Sequence, residues 1–312
     1  MANGVTVAPR PAFLRRSIAC AAFACAYLAS GAGASSAPPA AATFRLPAAR
    51  YATKWGFEVH PNSWSAASLA AVARTGATFV RMDLAENWVA QPNGTYDWSI
   101  YDTFVSKART AGLGVMFVGP YLYRGFDRPG SYTGFLTAAA KRYAGRHVMY
   151  ELGPNEPNNP HNGIGLSAAQ YAAYAIPAAD AIKRADPTAL TISSGTSSFD
   201  YPWQQTLATL GVGRHVDAIG VHAYYEYPAT LQSDLAKLSA IYGGTRPIYI
   251  TEFGVPAQYA SFLIQMLEAA KSYVPVFNVY EFEDQNATDT YGMLTFAGAA
   301  RPELAQVEGI IK

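Results

Sequence analysis

The chain has 312 residues, of which half are apolar and 14% are charged, and its formal net charge is +1. This composition excludes a disordered chain, and no basic stripe is present that would hold a nucleic-acid backbone. The length suits one large domain or two small ones.

The first 34 residues predict a secretory signal peptide. Arg15-Arg16 precede an apolar run over residues 18–29, and residues 32–34 (Ala-Gly-Ala) form a small-residue cleavage site. The apolar run is too short to span a bilayer as a stable helix, so no stable membrane insertion is expected. We therefore expect the mature protein to be secreted or periplasmic.

Removal of this segment changes the chemistry that is available to the chain. Both cysteines, Cys20 and Cys25, lie in it, so the mature protein would have no disulfide and no thiol nucleophile. Three arginines leave as well, so the 23 basic residues fall to 20 against 22 acidic ones, a charge of about −2. Residues 35–49, rich in Ala, Ser and Pro, predict a flexible linker. No similar break divides residues 50–312, which we interpret as one domain.

Strand patterns and helix patterns alternate along that domain. The predicted strands are 55–59, 78–82, 114–119, 148–152, 189–193, 218–222, 248–251 and 276–280. Amphipathic helices are predicted at 65–74, 100–111, 132–143, 168–185, 230–241 and 259–272. This repetition predicts an α/β fold, a single (β/α)8 TIM barrel with parallel strands. A doubly wound open sheet is the alternative, but no Gly-rich phosphate-binding sequence follows the first strand.

Two predicted strands end in glutamates. Asn155 and Glu156 follow the fourth strand, and Glu252 closes the seventh. The carboxyl ends of the strands of a parallel barrel share one face, so we expect the two carboxylates to lie across one cleft. A carboxylate pair is what glycoside hydrolysis requires, because one group protonates the leaving oxygen while the other attacks the anomeric carbon or activates water.

Other polar residues fall at strand ends as well. Arg81 ends the second strand and is predicted to point inward, where its guanidinium would orient a carboxylate; a buried ion pair with Asp83 is the alternative. His222 and Tyr224 follow the sixth strand two positions apart, on one side of an extended segment. We expect both to face a ligand.

No metal and no cofactor are predicted. The five histidines are scattered without a metal-binding spacing, and Glu281, Glu283 and Asp284 do not form a calcium-loop pattern. A serine hydrolase is also unsupported, because no Gly-x-Ser-x-Gly sequence occurs.

Taken together, Asn155-Glu156-Pro157, Thr251-Glu252-Phe253-Gly254, Arg81 and His222-x-Tyr224 resemble the retaining glycoside hydrolases of clan A. Within the clan, residues 50–312 are most similar to family thirty-nine and to the cellulase-like family five. The segments 93–98 and 181–187 are common in family-thirty-nine-like sequences.

The resemblance implies roles for single residues. Glu156 would be the general acid/base and Glu252 the nucleophile, with Asn155 bonded to the sugar 2-hydroxyl. Tyr224 and Arg81 would orient Glu252, and His222 would line the donor subsite. Many clan members carry a Trp after the eighth strand; this chain has none there, so Tyr280 or Phe282 would serve as the platform. Aromatic residues of the predicted upper loops could form further subsites: Trp88, Tyr121, Tyr123, Trp203, Tyr225 and Tyr227.

The sequence thus predicts a secreted, monomeric, retaining β-glycosidase that acts on a β-linked glycan without a cofactor. Short loops leave the cleft open, which favours endo action on a polysaccharide. The alternatives are an exo-acting enzyme of the β-xylosidase or β-glucosidase type, a catalytically silent carbohydrate-binding barrel, and a non-catalytic envelope protein that binds partners through its aromatic surface.

Overall fold

A sheet of nine parallel strands is the centre of the computed structural model, which describes residues 52–120, 129–161 and 165–312. The predicted signal peptide and linker lie outside the described residues, as do Tyr121 and Tyr123. The strands are β1 (Lys54–Glu58), β2 (Phe79–Asp83), β3 (Gly114–Gly119), β4 (Met149–Leu152), β5 (Leu190–Ser193), β6 (Thr196–Ser197), β7 (Ile219–His222), β8 (Ile248–Phe253) and β9 (Val276–Val279).

Helices follow the strands along the chain. In the described part these are α1 (Ala66–Arg74), α2 (Ser99–Thr110), α3 (Pro129–Arg142), α4 (Ala168–Ala185), α5 (Tyr201–Thr209), α6 (Leu231–Ile241), α7 (Ala260–Ala270) and α8 (Glu303–Ile311). No helix of the described ranges has the length and apolarity that a membrane crossing would need.

The sheet is curled. Its strand order is β5-β4-β3-β2-β1-β9-β8-β7-β6, so β1 and β9, the first and last strands along the chain, are neighbours. The two ends of this order also meet, because Ile192 of β5 and Ala218, just before β7, form an isolated parallel bridge. The Ser193 amide donates to the Ala218 carbonyl at 3.0 Å. The strands therefore curve around an enclosed face, with the helices on the other face.

An apolar layer covers the part of the inner face near the amino ends of the strands. Phe79, Met116, Ile192, Ala218 and Val276 form a small buried cluster, separate from the large cluster between strands and helices. Successive strand residues point to opposite faces, so a residue two positions after a member of this layer lies on the same face, closer to the carboxyl end. Arg81 has this relation to Phe79. The apolar layer thus forms the floor on which polar side chains are placed.

The strand predictions are confirmed, with boundaries within two residues of those observed. Helices α5 and α8 and the two-residue strand β6 were not predicted. Helix α5 has only nine residues, and it depends on a local cap, since the Asp200 carboxylate accepts from the Trp203 amide at 3.3 Å. A helix of this length spans few turns, so its sequence shows little apolar periodicity, and its beginning is marked mainly by the polar cap.

Candidate active site

Arg81 is the centre of a buried polar cluster at the carboxyl ends of the strands. Its side chain is 2% exposed. It donates to three carboxylates and one amide, namely Glu151 at 2.7 Å, Glu58 at 2.7 Å, Glu252 at 2.9 Å and Asn155 at 2.9 Å. We call these five residues the Arg81 cluster. Strand pairing explains part of it, because Glu58 of β1 stands beside Arg81 of β2 in the register.

Glu151 is the most completely satisfied acid of the cluster. Besides Arg81, the Gly195 amide donates to it at 2.7 Å and the Thr251 hydroxyl at 3.0 Å. Burial raises its pKa, but the Arg81 charge and His222 outweigh that effect and lower the pKa to about 2. Glu151 is therefore a fixed negative charge.

Glu58 differs from Glu151 although both contact Arg81. Its carboxylate accepts from Arg81 and, at 3.2 Å, from the Asn278 amide of β9. Burial raises its pKa to about 7, and the Arg81 charge offsets this only in part. The cluster therefore holds one group that titrates near neutral pH.

His222 is completely buried and lies near three glutamates. Its Nδ1 is 3.1 Å from Glu156 Oε1, while its Nε2 is 3.6 Å from Glu151 and 3.9 Å from Glu252. The two longer distances are charge contacts rather than hydrogen bonds. Burial lowers the pKa of His222, but the negative charges around it raise it to about 10.

Gly195 leaves the space that the His222 ring occupies. A β-carbon at this position would lie 2.2 Å from the His222 ring, so no other residue could pack there without displacing it. The absent side chain also lets the Gly195 amide reach Glu151. This glycine therefore positions both groups.

Glu156 is 1% exposed and stands in the turn that follows β4, with a φ of 47°. Its Oε1 contacts His222, and its Oε2 accepts from the Asn159 amide at 3.0 Å. Left-handed backbone is unusual for a residue with a side chain. Here it aims the carboxyl at the β7 histidine.

Glu252 carries a donor on each oxygen. Arg81 donates to Oε2 at 2.9 Å, and the Tyr224 hydroxyl donates to Oε1 at 2.6 Å. The residue is 8% exposed, more than the other carboxylates of the cluster. His222 and Glu252 are partners in the β7–β8 register, at an irregularity of the pairing. Glu252 is therefore held in one orientation at the edge of the buried network.

Tyr280 lies beside this network, after β9. The edge of its ring faces His60 with 5.9 Å between centroids, and its hydroxyl accepts from Gln285 at 2.7 Å. Burial and the charges of Glu281 and Glu252 raise its pKa well above the usual range. Its predicted role as a sugar platform stays a prediction.

His60 and Glu281 form a second ionic contact there, at 2.7 Å. Burial raises the pKa of Glu281 to about 7; burial lowers that of His60, but the neighbouring acids raise it to about 9. Glu281, Asp284 and Asp289 have carboxylate oxygens within 4.8 Å of one another. Arg301 and His60 already supply positive charge to this group of acids.

The predicted aromatic residues are not gathered in one place. Trp88 is 40% exposed, and within the described residues its ring contacts are with Trp64, at 5.8 Å, and with Tyr101. Trp64 also lines a surface cavity of about 390 Å³ that no member of the Arg81 cluster lines. Trp203 packs on Tyr171, and Tyr225 and Tyr227 are more than half exposed. A role in binding for these residues stays a prediction.

The structure thus brings together Arg81, Asn155, Glu156, His222, Tyr224 and Glu252. The sequence interpretation missed Glu58, Glu151 and Asn159. Glu58 and Glu151 each stand inside an apolar strand run, and a charge in such a run needs a buried partner; that signal was available. Asn159 gave no comparable signal, because it lies in an irregular turn.

Comparisons with known proteins agree with this geometry. Residues 76–285 match the family model described as "Glycosyl hydrolase catalytic core". The chain belongs to this family. It is therefore a glycoside hydrolase by family, although no curated protein matches its sequence.

Solved structures with the same fold are also glycoside hydrolases. A family 39 glycoside hydrolase from Bacteroides cellulosilyticus WH2 aligns with a TM-score of 0.67 and 19% identity, over 83% of this chain and 63% of that one. A monomeric beta-xylosidase from Caulobacter crescentus CB15 gives 0.68 and 14%, over 85% and 69%. A GH5_18 protein from Streptomyces cattleya in complex with GlcNAc gives 0.66 and 17%, over 84% and 80%. The chain spans less than two thirds of the Bacteroides protein. At these sequence identities, the similarity shows a shared fold and nothing about substrate.

Proposed function

We propose that the chain is a retaining β-glycosidase that hydrolyses O-glycosidic bonds by double displacement. Glu252 is the nucleophile and Glu156 is the general acid/base. The observation that carries the proposal is the binding of Glu252 by Arg81 and Tyr224 on separate oxygens, with Glu156 on the far side of His222.

In the first step, a Glu252 oxygen attacks the anomeric carbon while the bond to the leaving oxygen breaks. Glu156 gives its proton to that oxygen, and a glycosyl ester forms on Glu252. In the second step, Glu156 takes a proton from water, the water oxygen bonds to the anomeric carbon, and the ester bond breaks. Two donors orient Glu252 before attack, which lowers the reorganisation that the first step requires.

Asn155 is suited to binding the sugar. Its Oδ1 accepts from Arg81 at 2.9 Å, so its amide N–H groups are directed elsewhere. An amide donor beside two glutamates suits a hydrogen bond to the sugar 2-hydroxyl, a contact that strengthens in the transition state. Arg81 thus orients the nucleophile and this binding residue together.

The substrate that we propose is a β-linked glycan, cleaved internally. Trp88, which is 40% exposed and lies in the segment that follows β2, is the aromatic residue that we propose as a further contact for the sugar chain. A structural neighbour was solved in complex with cellopentaose, which is consistent with an extended chain. We further propose that the strands close into a (β/α)8 barrel, supported by the Ile192–Ala218 bridge, and that the mature protein is a secreted or periplasmic monomer.

The test is hydrolysis of β-linked polymers and aryl β-glycosides by the mature protein, with NMR assignment of the first anomer released. We expect the β-anomer. Glu252→Gln should lower turnover by at least about 10³-fold on every accepted substrate. Glu156→Ala should lower it by about 10²–10⁴-fold on poor leaving groups and far less on activated ones.

The exposed Glu268→Gln on α7 is the matched control and should keep wild-type rates. An α-anomer as first product would replace retention with inversion. Full activity of Glu252→Gln would remove it as the nucleophile. Polymer binding without any turnover would instead make the chain a carbohydrate-binding barrel.

A further inference from the structure

The two oxygens of the Glu156 carboxyl have different partners. Oε1 meets His222 Nδ1 at 3.1 Å, and Oε2 accepts from Asn159 Nδ2 at 3.0 Å. The side chain is almost completely buried. Its proton affinity is therefore set by these neighbours rather than by bulk water.

The Asn159 amide has a defined orientation. Its Oδ1 accepts from the His161 backbone N–H at 3.0 Å, and a backbone N–H can only donate. The amide oxygen must therefore face His161, which turns the NH₂ group towards Glu156. Its own backbone N–H donates to the Glu156 carbonyl at 2.9 Å, so the turn is closed on both residues.

We propose that Asn159 is a positioning residue for Glu156, which holds Oε2 and stabilises the carboxylate that remains once the leaving group has taken the proton. This inference rests on the proposed function, because it assigns Glu156 the acid/base role. The donor makes Glu156 a stronger acid in the first step. The same bond keeps the carboxylate aligned when it receives a proton from water in the second.

Asn158 provides a matched comparison one position earlier. It donates to Asp200 at 2.7 Å and to the Ser197 carbonyl at 3.2 Å, and it accepts from the Ser197 amide at 2.9 Å. These bonds fasten the same turn to the end of β6 and to the residue before α5, and all three lead away from the Glu156 carboxyl. Asn159 also contacts Ser197, at 3.4 Å, but of the two asparagines it is the one that donates to the Glu156 carboxyl. Asn158→Leu therefore measures the effect of loosening this turn, which can be subtracted from the effect of Asn159→Leu.

The experiment is the pH profile of kcat/KM for Asn159→Leu, Asn159→Asp and Asn158→Leu. Loss of a donor to a charged group should move the alkaline limb of Asn159→Leu up by about one pH unit. Asn159→Asp should move it further, because a second carboxylate would stand beside Glu156. The loss in kcat should be largest with poor leaving groups, with KM little changed.

The other titratable groups near Glu156 are unchanged in every variant. His222 and Tyr224 face it from the β7 side, Glu151 of β4 and Glu252 of β8 lie near the other nitrogen of His222, and Arg81 of β2 binds both of these acids. Asn158→Leu should lower the Tm and leave the alkaline limb where it is. An unshifted limb in Asn159→Leu would overturn the proposal, and so would an equal shift in Asn158→Leu.

A ¹³C NMR titration of glutamate carboxyls, with Glu156 assigned by its loss in Glu156→Gln, tests the same bond without turnover. The Glu156 titration midpoint should rise in Asn159→Leu. If the wild type hydrolyses no glycoside, the proposed function fails while this titration still decides the role of Asn159. An unchanged midpoint in an active enzyme would overturn the positioning role alone.

Discussion

Within the described residues, Arg81 and Arg301 both bind buried carboxylates, but the two groups are built differently. Arg301 binds one acid, Asp284, through two parallel contacts at 3.0 and 2.6 Å, and it also donates to the Gly292 carbonyl. Asp284 accepts in addition from the Gly292 amide at 2.7 Å. In the Arg81 cluster, by contrast, one guanidinium is shared by three carboxylates.

The difference lies in charge balance. Arg301 is partly exposed and forms a one-to-one ion pair with Asp284. The Arg81 cluster has an excess of negative charge, and its members respond in opposite directions: the pKa of Glu58 is raised and that of Glu151 is lowered. An unbalanced buried cluster lowers stability, and perturbed groups of this kind concentrate at functional sites. The contrast favours a structural role for Arg301 and a catalytic setting for Arg81.

The largest expected effect is that of Arg81→Met. It would leave three carboxylates without their shared cation, and breaking a buried pair in this way lowers stability by about 3–5 kcal/mol. Calorimetry should show a Tm lower by about 10 °C, and hydrolysis should be lost even well below that Tm. If Arg81→Met kept wild-type turnover, Arg81 would be no more functional than Arg301.

Arg301→Met should affect stability alone. Asp284 would be left as an uncompensated buried charge, at a loss of about 2–4 kcal/mol in the free energy of unfolding. Denaturation should show this, and the double variant Arg301→Met/Asp284→Asn should recover part of it. Turnover per folded molecule should equal that of the wild type. A large fall in kcat at a temperature where the variant is fully folded would contradict the comparison.

The smallest expected effect is that of Glu58→Gln on the pH dependence of stability. The pKa of Glu58 is about 7 in the folded chain, above its unfolded value, so its contribution to stability is complete below about pH 4.5 and is lost as the pH rises through 7. A glutamine can accept from Arg81 but does not titrate. Between pH 5 and 8, wild-type stability should therefore fall more steeply than that of Glu58→Gln, by up to about 3 kcal/mol.

Denaturant unfolding at pH 5, 6, 7 and 8 measures this difference. Glu281 also has a raised pKa of about 7, so a residual decline should remain in the variant. The exposed Glu268→Gln should follow the wild type throughout. Parallel curves for the wild type and Glu58→Gln would show that Glu58 does not titrate in this range.

Much of this site could be predicted from the sequence because it depends on strand ends. The apolar runs located the strands, and whatever follows them in a parallel sheet shares one face; this brought Glu156 and Glu252 together. Arg81 was expected to contact a carboxylate, because a guanidinium that ends a buried strand needs one, and it contacts three.

The rest depends on distances between strands that are remote in the chain. Arg81 could have been assigned Asp83 by sequence proximity; its observed partners come instead from β1, β4 and β8. The burial of His222 depends on Gly195, a small residue that carries no polar signal. Asn159 reaches Glu156 through a turn whose backbone has no periodicity to interpret.

The backbone of Glu156 has a consequence for how the protein can change. At a φ of 47°, a residue with a β-carbon is held in a conformation that is less favourable by about 1–2 kcal/mol than for glycine. Glu156→Gly should therefore relieve strain as it removes the carboxyl, and it should also free His222 from a partner. The strain is offset by the two contacts of the carboxyl, so a replacement such as Glu156→Ala, which keeps the β-carbon and loses both contacts, should be less stable than Glu156→Gly.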